Sequence, residues 1–126
     1  QIDIGLDHMG EWQVKRKLIH EHYVGEFDHL PLKIIQPSEH CDSNYHKFAV
    51  LADDRDGLRD YLARFDIQAL EHYTDNFAEF FHGKDQKNNF PNTNMFCENV
   101  LTLPNHAWMT DAEIETVSQK VKDFYK

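Results

Sequence analysis

Positive charge is scarce in this sequence. Thirteen Lys and Arg face 22 Asp and Glu, for a formal charge of −9, and such a chain is repelled by nucleic-acid phosphates and by anionic membrane surfaces. Neither is expected as a partner, which leaves small molecules and other proteins. Cysteine is scarcer still: Cys41 and Cys97 are the two in the chain, too few for a disulfide framework. That points to a reducing cytoplasm, with one bridge between them left open. No apolar run reaches the length of a membrane span or of a signal peptide's hydrophobic region, and the opening residues are acidic where a targeting segment is basic. A soluble, cytoplasmic protein is therefore expected. Also missing are a Gly-rich phosphate loop, a Gly-x-Ser-x-Gly elbow, a paired His/Glu zinc motif and a Cys-x-x-Cys. The chain carries no self-sufficient catalytic signature.

What the sequence does have is material for one core. At 126 residues, 40% apolar and 13% aromatic, it fits a single domain that folds. Ile2, Leu6, Met9, Trp12, Ile19, Tyr23 and Phe27 recur at helical spacings, so residues 2–27 are read as one long helix, with Arg16 on the same stripe. A turn at residues 28–31 leads into a short strand at 32–35, a polar loop at 37–43 and a second strand at 45–51. Asp53 and Asp54 are helix N-cap candidates for residues 55–65, whose stripe is Leu58, Tyr61, Leu62 and Phe65. Alternation over residues 67–73 predicts a third strand. Residues 74–94 read as an irregular loop around the aromatic knot Phe77, Phe80 and Phe81. A short helix at 93–99, a strand at 100–104 ended by Pro104, and a final helix opened by the capping box Thr110-Asp111-Ala112-Glu113 complete the chain. Ile114, Val117, Val121 and Phe124 give that helix its buried face. The expectation is an α+β fold, a small sheet of three to four strands covered by helices.

Nine histidines raise the question of metal. His20 and His22 lie two apart, ~200° around a helix, and cannot both reach one ion, so both are expected at solvated positions. His40 and Cys41 with His46 on the next strand form the one cluster where a Cys and two His could converge, the basis of a competing metal-binding reading; no metal is expected. His72 and Tyr73 end a strand that feeds a polar loop, where site residues concentrate, although a half-buried pair at a sheet edge has the same pattern. His106 and Trp108 either line a cleft or pack on the last helix.

The stretch Val100-Leu101-Thr102-Leu103-Pro104, followed by Met109-Thr110-Asp111-Ala112-Glu113-Ile114, closely resembles the C-terminal signature of the DegT/DnrJ/EryC1/StrS aminotransferases. Phe90-Pro91-Asn92 resembles the start of the family's preceding helix. Tyr45-His46-Lys47-Phe48 is similar to its Tyr-His-x-Phe strand, residues 54–62 to its next helix, and residues 67–73 to its Gly-Ile-x-x-x-x-His-Tyr segment. The opening helix, with Leu6, Trp12, Lys15-Arg16 and Tyr23, also follows the family pattern. After His72-Tyr73 the sequence departs from it, because residues 74–80 stand where the family has a Pro-rich stretch and a further His.

The resemblance implies the small C-terminal domain of a fold-type I, pyridoxal-phosphate-dependent sugar aminotransferase, spanning residues 1–126. The chain opens on Gln1 in place of Met, already in a helical pattern, which suggests a fragment. The parent enzyme would move an amino group from an amino acid such as glutamate to a nucleotide-linked keto sugar. The Schiff-base lysine and the acidic partner of the pyridine nitrogen would lie upstream, so no catalytic or cofactor-binding residue and no cofactor are expected on this chain, which alone would be inactive. His72, Tyr73, His46 and His106 are the substrate-cleft candidates, acting by position. Expected partners are the protein's own large domain, the nucleotide sugar, the amino donor and, for the whole enzyme, a second subunit. A free-standing, non-catalytic interaction module of the same fold is the alternative.

Overall fold

The structure, a computed structural model, describes residues 2–77, 81 and 90–126, and side chains from residue 6 onward. Helix α1 covers Ile2–Phe27. At 1.5 Å per residue it is about 39 Å long. Ile19, Tyr23 and Phe27 in its second half are buried. Leu6 and Met9, expected on the buried stripe, are 57% and 54% exposed instead, because the first half of α1 overhangs the domain. Trp12 is the exception there, half-buried with its ring 5.3 Å from that of Trp108.

Three antiparallel strands form the sheet in the order β1, β2, β3: Leu32–Ile34, Phe48–Ala52 and Val100–Leu103. Leu32 pairs with Ala52, and Phe48 with Leu103, so central β2 carries both ladders. β2 begins three residues later than expected. Tyr45 sits at φ 50°, a left-handed conformation that a strand cannot include, and its carbonyl accepts a 3.0 Å bond from the Asn105 carboxamide.

The third strand expected at residues 67–73 reduces to a bridge in which Leu70 and Thr102 exchange two backbone bonds of 3.0 and 2.7 Å. Extending that register sets Gln68 opposite Pro104, which has no N–H to give. Ile67 and Ala69 still point into the core, while Gln68 and Leu70 are exposed. Alternation is therefore present without a ladder.

Helix α2, Arg55–Ala63, starts where the Asp54 carboxylate accepts the Gly57 N–H at 3.1 Å. It stops before Phe65, which is 41% exposed. Helix α3, Pro91–Asn99, opens on a proline whose fixed φ suits the first helical position. Of the aromatic knot, Phe80 lies outside the described residues, while Phe77 and Phe81 stack on each other at 6.4 Å and are exposed. Helix α4, Asp111–Phe124, carries the capping box read from the sequence: Thr110 Oγ1 accepts from Glu113 N at 3.2 Å, and the Glu113 carboxylate accepts from Thr110 N at 2.7 Å. The Thr110 N–H bond, with a second one donated by the Thr110 hydroxyl at 2.8 Å, holds the Glu113 carboxyl below the usual range. Thr110→Ala is expected to cost about 1 kcal/mol and lower Tm by about 3–5 °C, read by thermal unfolding.

The core forms where α1, β2 and α4 meet. Phe48, fully buried, is ringed by Tyr23 at 5.0 Å, His20 at 5.1 Å and Phe27 at 6.1 Å. Tyr23 also donates its hydroxyl to the Pro104 carbonyl at 3.1 Å. His20 is buried, contrary to the solvated position expected. It stands three residues before Tyr23 and seven before Phe27, on their face of the helix. Burial pushes its pKa down, against a smaller upward pull from Glu21. His22, beside it, is half-buried and shares a 3.0 Å hydrogen bond with the Ser118 hydroxyl.

Candidate functional site

Below the outer edge of β3 lies a cavity of about 710 Å³, within the range of small-molecule sites. Its walls come from the approach to β2, the segment after α2, the end of β3, the loop before α4 and the first turns of α4. Ile67, Leu103, Met109 and Val117 supply apolar surface, and His46, His72 and His106 supply polar groups. Three of the four cleft candidates therefore share one cavity.

Tyr73, the fourth, stands outside the lining and is 64% exposed. Its ring lies 5.3 Å from that of His72, across a cis peptide bond. Lys47 joins the two regions: it lines the cavity, donates from Nζ to the Tyr73 hydroxyl at 3.3 Å and lies 4.6 Å above the Tyr73 ring. The phenol and the ammonium thus fix each other.

His72 is half-buried, and its pKa falls below the ordinary value through burial first, then through the positive surroundings of Lys47 and His46. At neutral pH its ring is uncharged, able to offer one N–H and one lone pair. Its Nδ1 is buried without a hydrogen-bond partner among the described residues, as are Thr102 Oγ1 and Asn105 Oδ1. The Asn105 amide nitrogen is used by Tyr45, which ties the cavity wall to the approach of β2. His106 is exposed, its ring 6.2 Å from that of Trp108.

Sequence reasoning passed over Lys47, Thr102 and Asn105. No spacing rule marks them, because they converge through the β2–β3 pairing and the turn at Pro104. Cys41 is exposed and Cys97 buried, and no disulfide joins them, so the bridge left open by the sequence is not formed. Among the described residues no three His, Cys, Asp or Glu side chains converge on a metal position, the cluster of His40, Cys41 and His46 included.

The fold is shared with known proteins. Residues 3–122 match the DegT/DnrJ/EryC1/StrS aminotransferase family. The chain belongs to this family. Among relatives of this DegT/DnrJ/EryC1/StrS chain, the erythromycin biosynthesis sensory transduction protein EryC1 of Saccharopolyspora erythraea is 32% identical over 72 residues, 56% of this chain and 19% of EryC1. Among solved structures, DesV of S. venezuelae, in complex with a ketimine intermediate, superposes with a TM-score of 0.90 at 23% identity, over 98% of this chain and 34% of DesV. Spr1654 of Streptococcus pneumoniae, assigned as a sugar aminotransferase and solved in its PLP form, gives 0.78 at 22% identity, over 98% of this chain and 34% of its own. These structural likenesses establish the α+β fold. The DegT/DnrJ/EryC1/StrS chain thus spans about a third of the length of the solved structures it matches.

Proposed function

We propose that this chain is the small C-terminal domain of a pyridoxal-phosphate-dependent sugar aminotransferase, and that it walls one side of the active-site cleft. The observation that carries the reading is the convergence of His46, His72 and His106 on one cavity in a chain of this aminotransferase family. The enzyme takes an amino group from an amino acid such as glutamate and places it on the keto group of a nucleotide-linked sugar. His72 and Tyr73 hold that sugar by hydrogen bonds, a positioning role.

Pyridoxal phosphate supplies the electron sink for amino transfer when bound. It needs a lysine amine beside its ring. Among the described lysines, Lys15, Lys17, Lys122 and Lys126 pair with carboxylates, and Lys120 and Lys47 lie over aromatic rings. On this reading the cofactor's lysine comes from a large domain joined to this one. The overhanging half of α1, with Leu6, Met9 and Val14 exposed, supports contact with that domain and, in the whole enzyme, with a second subunit. No described helix is long and apolar enough to cross a membrane, and we place the enzyme in the cytoplasm.

The test adds pyridoxal phosphate and glutamate, without keto sugar, to the two-domain gene product and to this chain. The reading predicts a visible cofactor absorbance that glutamate bleaches in the two-domain protein only. The same response from the 126-residue chain, or none from either, contradicts it.

A further inference from the structure

His72 lines the cavity, yet its Nδ1 is buried without a hydrogen-bond partner among the described residues. The sheet does not hold its backbone either. The last ladder bonds before it are the two between Leu70 and Thr102, and among the described residues no backbone hydrogen bond involves residues 71–73. What fixes the ring must come from its neighbours in sequence.

Glu71, the residue before it, is half-buried and meets two guanidinium groups of α2. Its carboxylate accepts from Arg59 Nη1 and lies 3.7 Å from Arg55 Nη1. Arg55 is itself fixed on two other sides, donating from Nε to the Asp56 carboxylate at 3.0 Å and from Nη1 to the Cys97 carbonyl of α3 at 3.1 Å. Arg59 also reaches the exposed carboxylates of Asp56 at 3.1 Å and Asp60 at 2.9 Å. Asp56 and Asp60 belong to α2 and tie the arginines to their own helix, whereas Glu71 comes from outside it. Bonds between a carboxylate and guanidinium groups are of the stronger, charge-assisted kind. On the other side of His72, the Tyr73 hydroxyl lies 3.3 Å from Lys47 Nζ. His72 thus stands between two side-chain tethers, one to α2 and one to the approach to β2.

We propose that Glu71, clasped by Arg55 and Arg59, is a positioning residue that holds His72 at the cavity wall. No described residue of α2 lines the cavity, so this helix acts on the site through Glu71. The inference rests on the proposed function for what His72 is positioned toward, the sugar; the clasp itself does not. Glu71→Gln keeps the shape of the side chain and loses its charge, and the two arginines then favour Asp56 and Asp60, which remain carboxylates.

The test follows the His72 ring by NMR through a pH titration of the 126-residue chain. His72 titrates below the ordinary histidine value because it is buried and faces Lys47 and His46. Loss of a neighbouring negative charge would by itself lower the midpoint further, whereas release of the ring into water raises it. The sign of the change therefore separates movement from a lost charge. The expected result is a rise in Glu71→Gln, a smaller rise in Glu71→Asp, which keeps the charge, and none in Asp60→Asn, which removes an exposed partner of Arg59. All three keep the amide spectrum of a folded protein. In the two-domain protein, Glu71→Gln raises KM for the keto sugar about tenfold and preserves kcat and the glutamate half-reaction. A midpoint that is unchanged or lower in Glu71→Gln, an equal rise in Asp60→Asn, or equal losses in both half-reactions would overturn the inference. A two-domain protein without amino transfer removes the proposed function and leaves the His72 titration to decide the clasp.

Discussion

Phe48→Ala is expected to destabilise the domain by about 3–5 kcal/mol, a large part of the roughly 5–15 kcal/mol that a folded domain holds. Phe48 is fully buried at the start of central β2, and His20, Tyr23 and Phe27 of α1 all meet its ring within 6.1 Å. Those partners belong to a rigid helix and cannot collapse into the space left behind, so the cavity cost adds to the lost transfer free energy. The same ring docks α1 on the sheet, and α1 contributes Tyr23, whose hydroxyl holds the turn at Pro104 on the cavity wall. Urea unfolding measures the effect: the variant loses most of its midpoint, and Phe48→Leu loses about 1.5 kcal/mol or less. A shift under about 1 kcal/mol for the alanine variant would mean that α1 is not held by this contact.

The second large effect is on activity. In the two-domain enzyme, His72→Ala with Tyr73→Phe is expected to lower kcat/KM for the keto sugar about 100-fold, with the glutamate half-reaction preserved. His72 lines the cavity with an uncharged ring, and Tyr73 fixes Lys47 at its edge. Removing both groups takes away position and leaves the proton-transferring machinery of the other domain in place. Equal losses in both half-reactions would assign the pair a structural role; no loss in either would place the sugar elsewhere.

Much of this architecture was legible in the chain. The helical stripe from Ile19 to Phe27, the Thr110-Glu113 capping box and the Asp54 cap are local signals, and each forms where its spacing put it. The failures are tertiary. Leu6 and Met9 continue a perfectly regular stripe, but nothing in periodicity says how far the covered body extends. His20 shares a face with Tyr23 and Phe27, yet its polarity argued for water, and the aromatic surroundings of Tyr45 and Phe48 decided otherwise. Alternation over residues 67–73 signalled a strand whose potential partner ends at Pro104. Of the candidate site, His46, His72 and His106 were readable as polar residues beside strands and turns. Lys47 and Asn105 were not, since their roles arise from contacts 26 and 60 residues away in sequence.

The most direct test of the central claim, that this chain walls the substrate cleft, is a crystal structure of the two-domain gene product with its nucleotide sugar bound. The account predicts ligand oxygens within about 2.6–3.2 Å of His72 or Tyr73 and part of the ligand inside the cavity below β3. A nucleotide sugar held wholly by the other domain, with that cavity filled by protein or water, would contradict it.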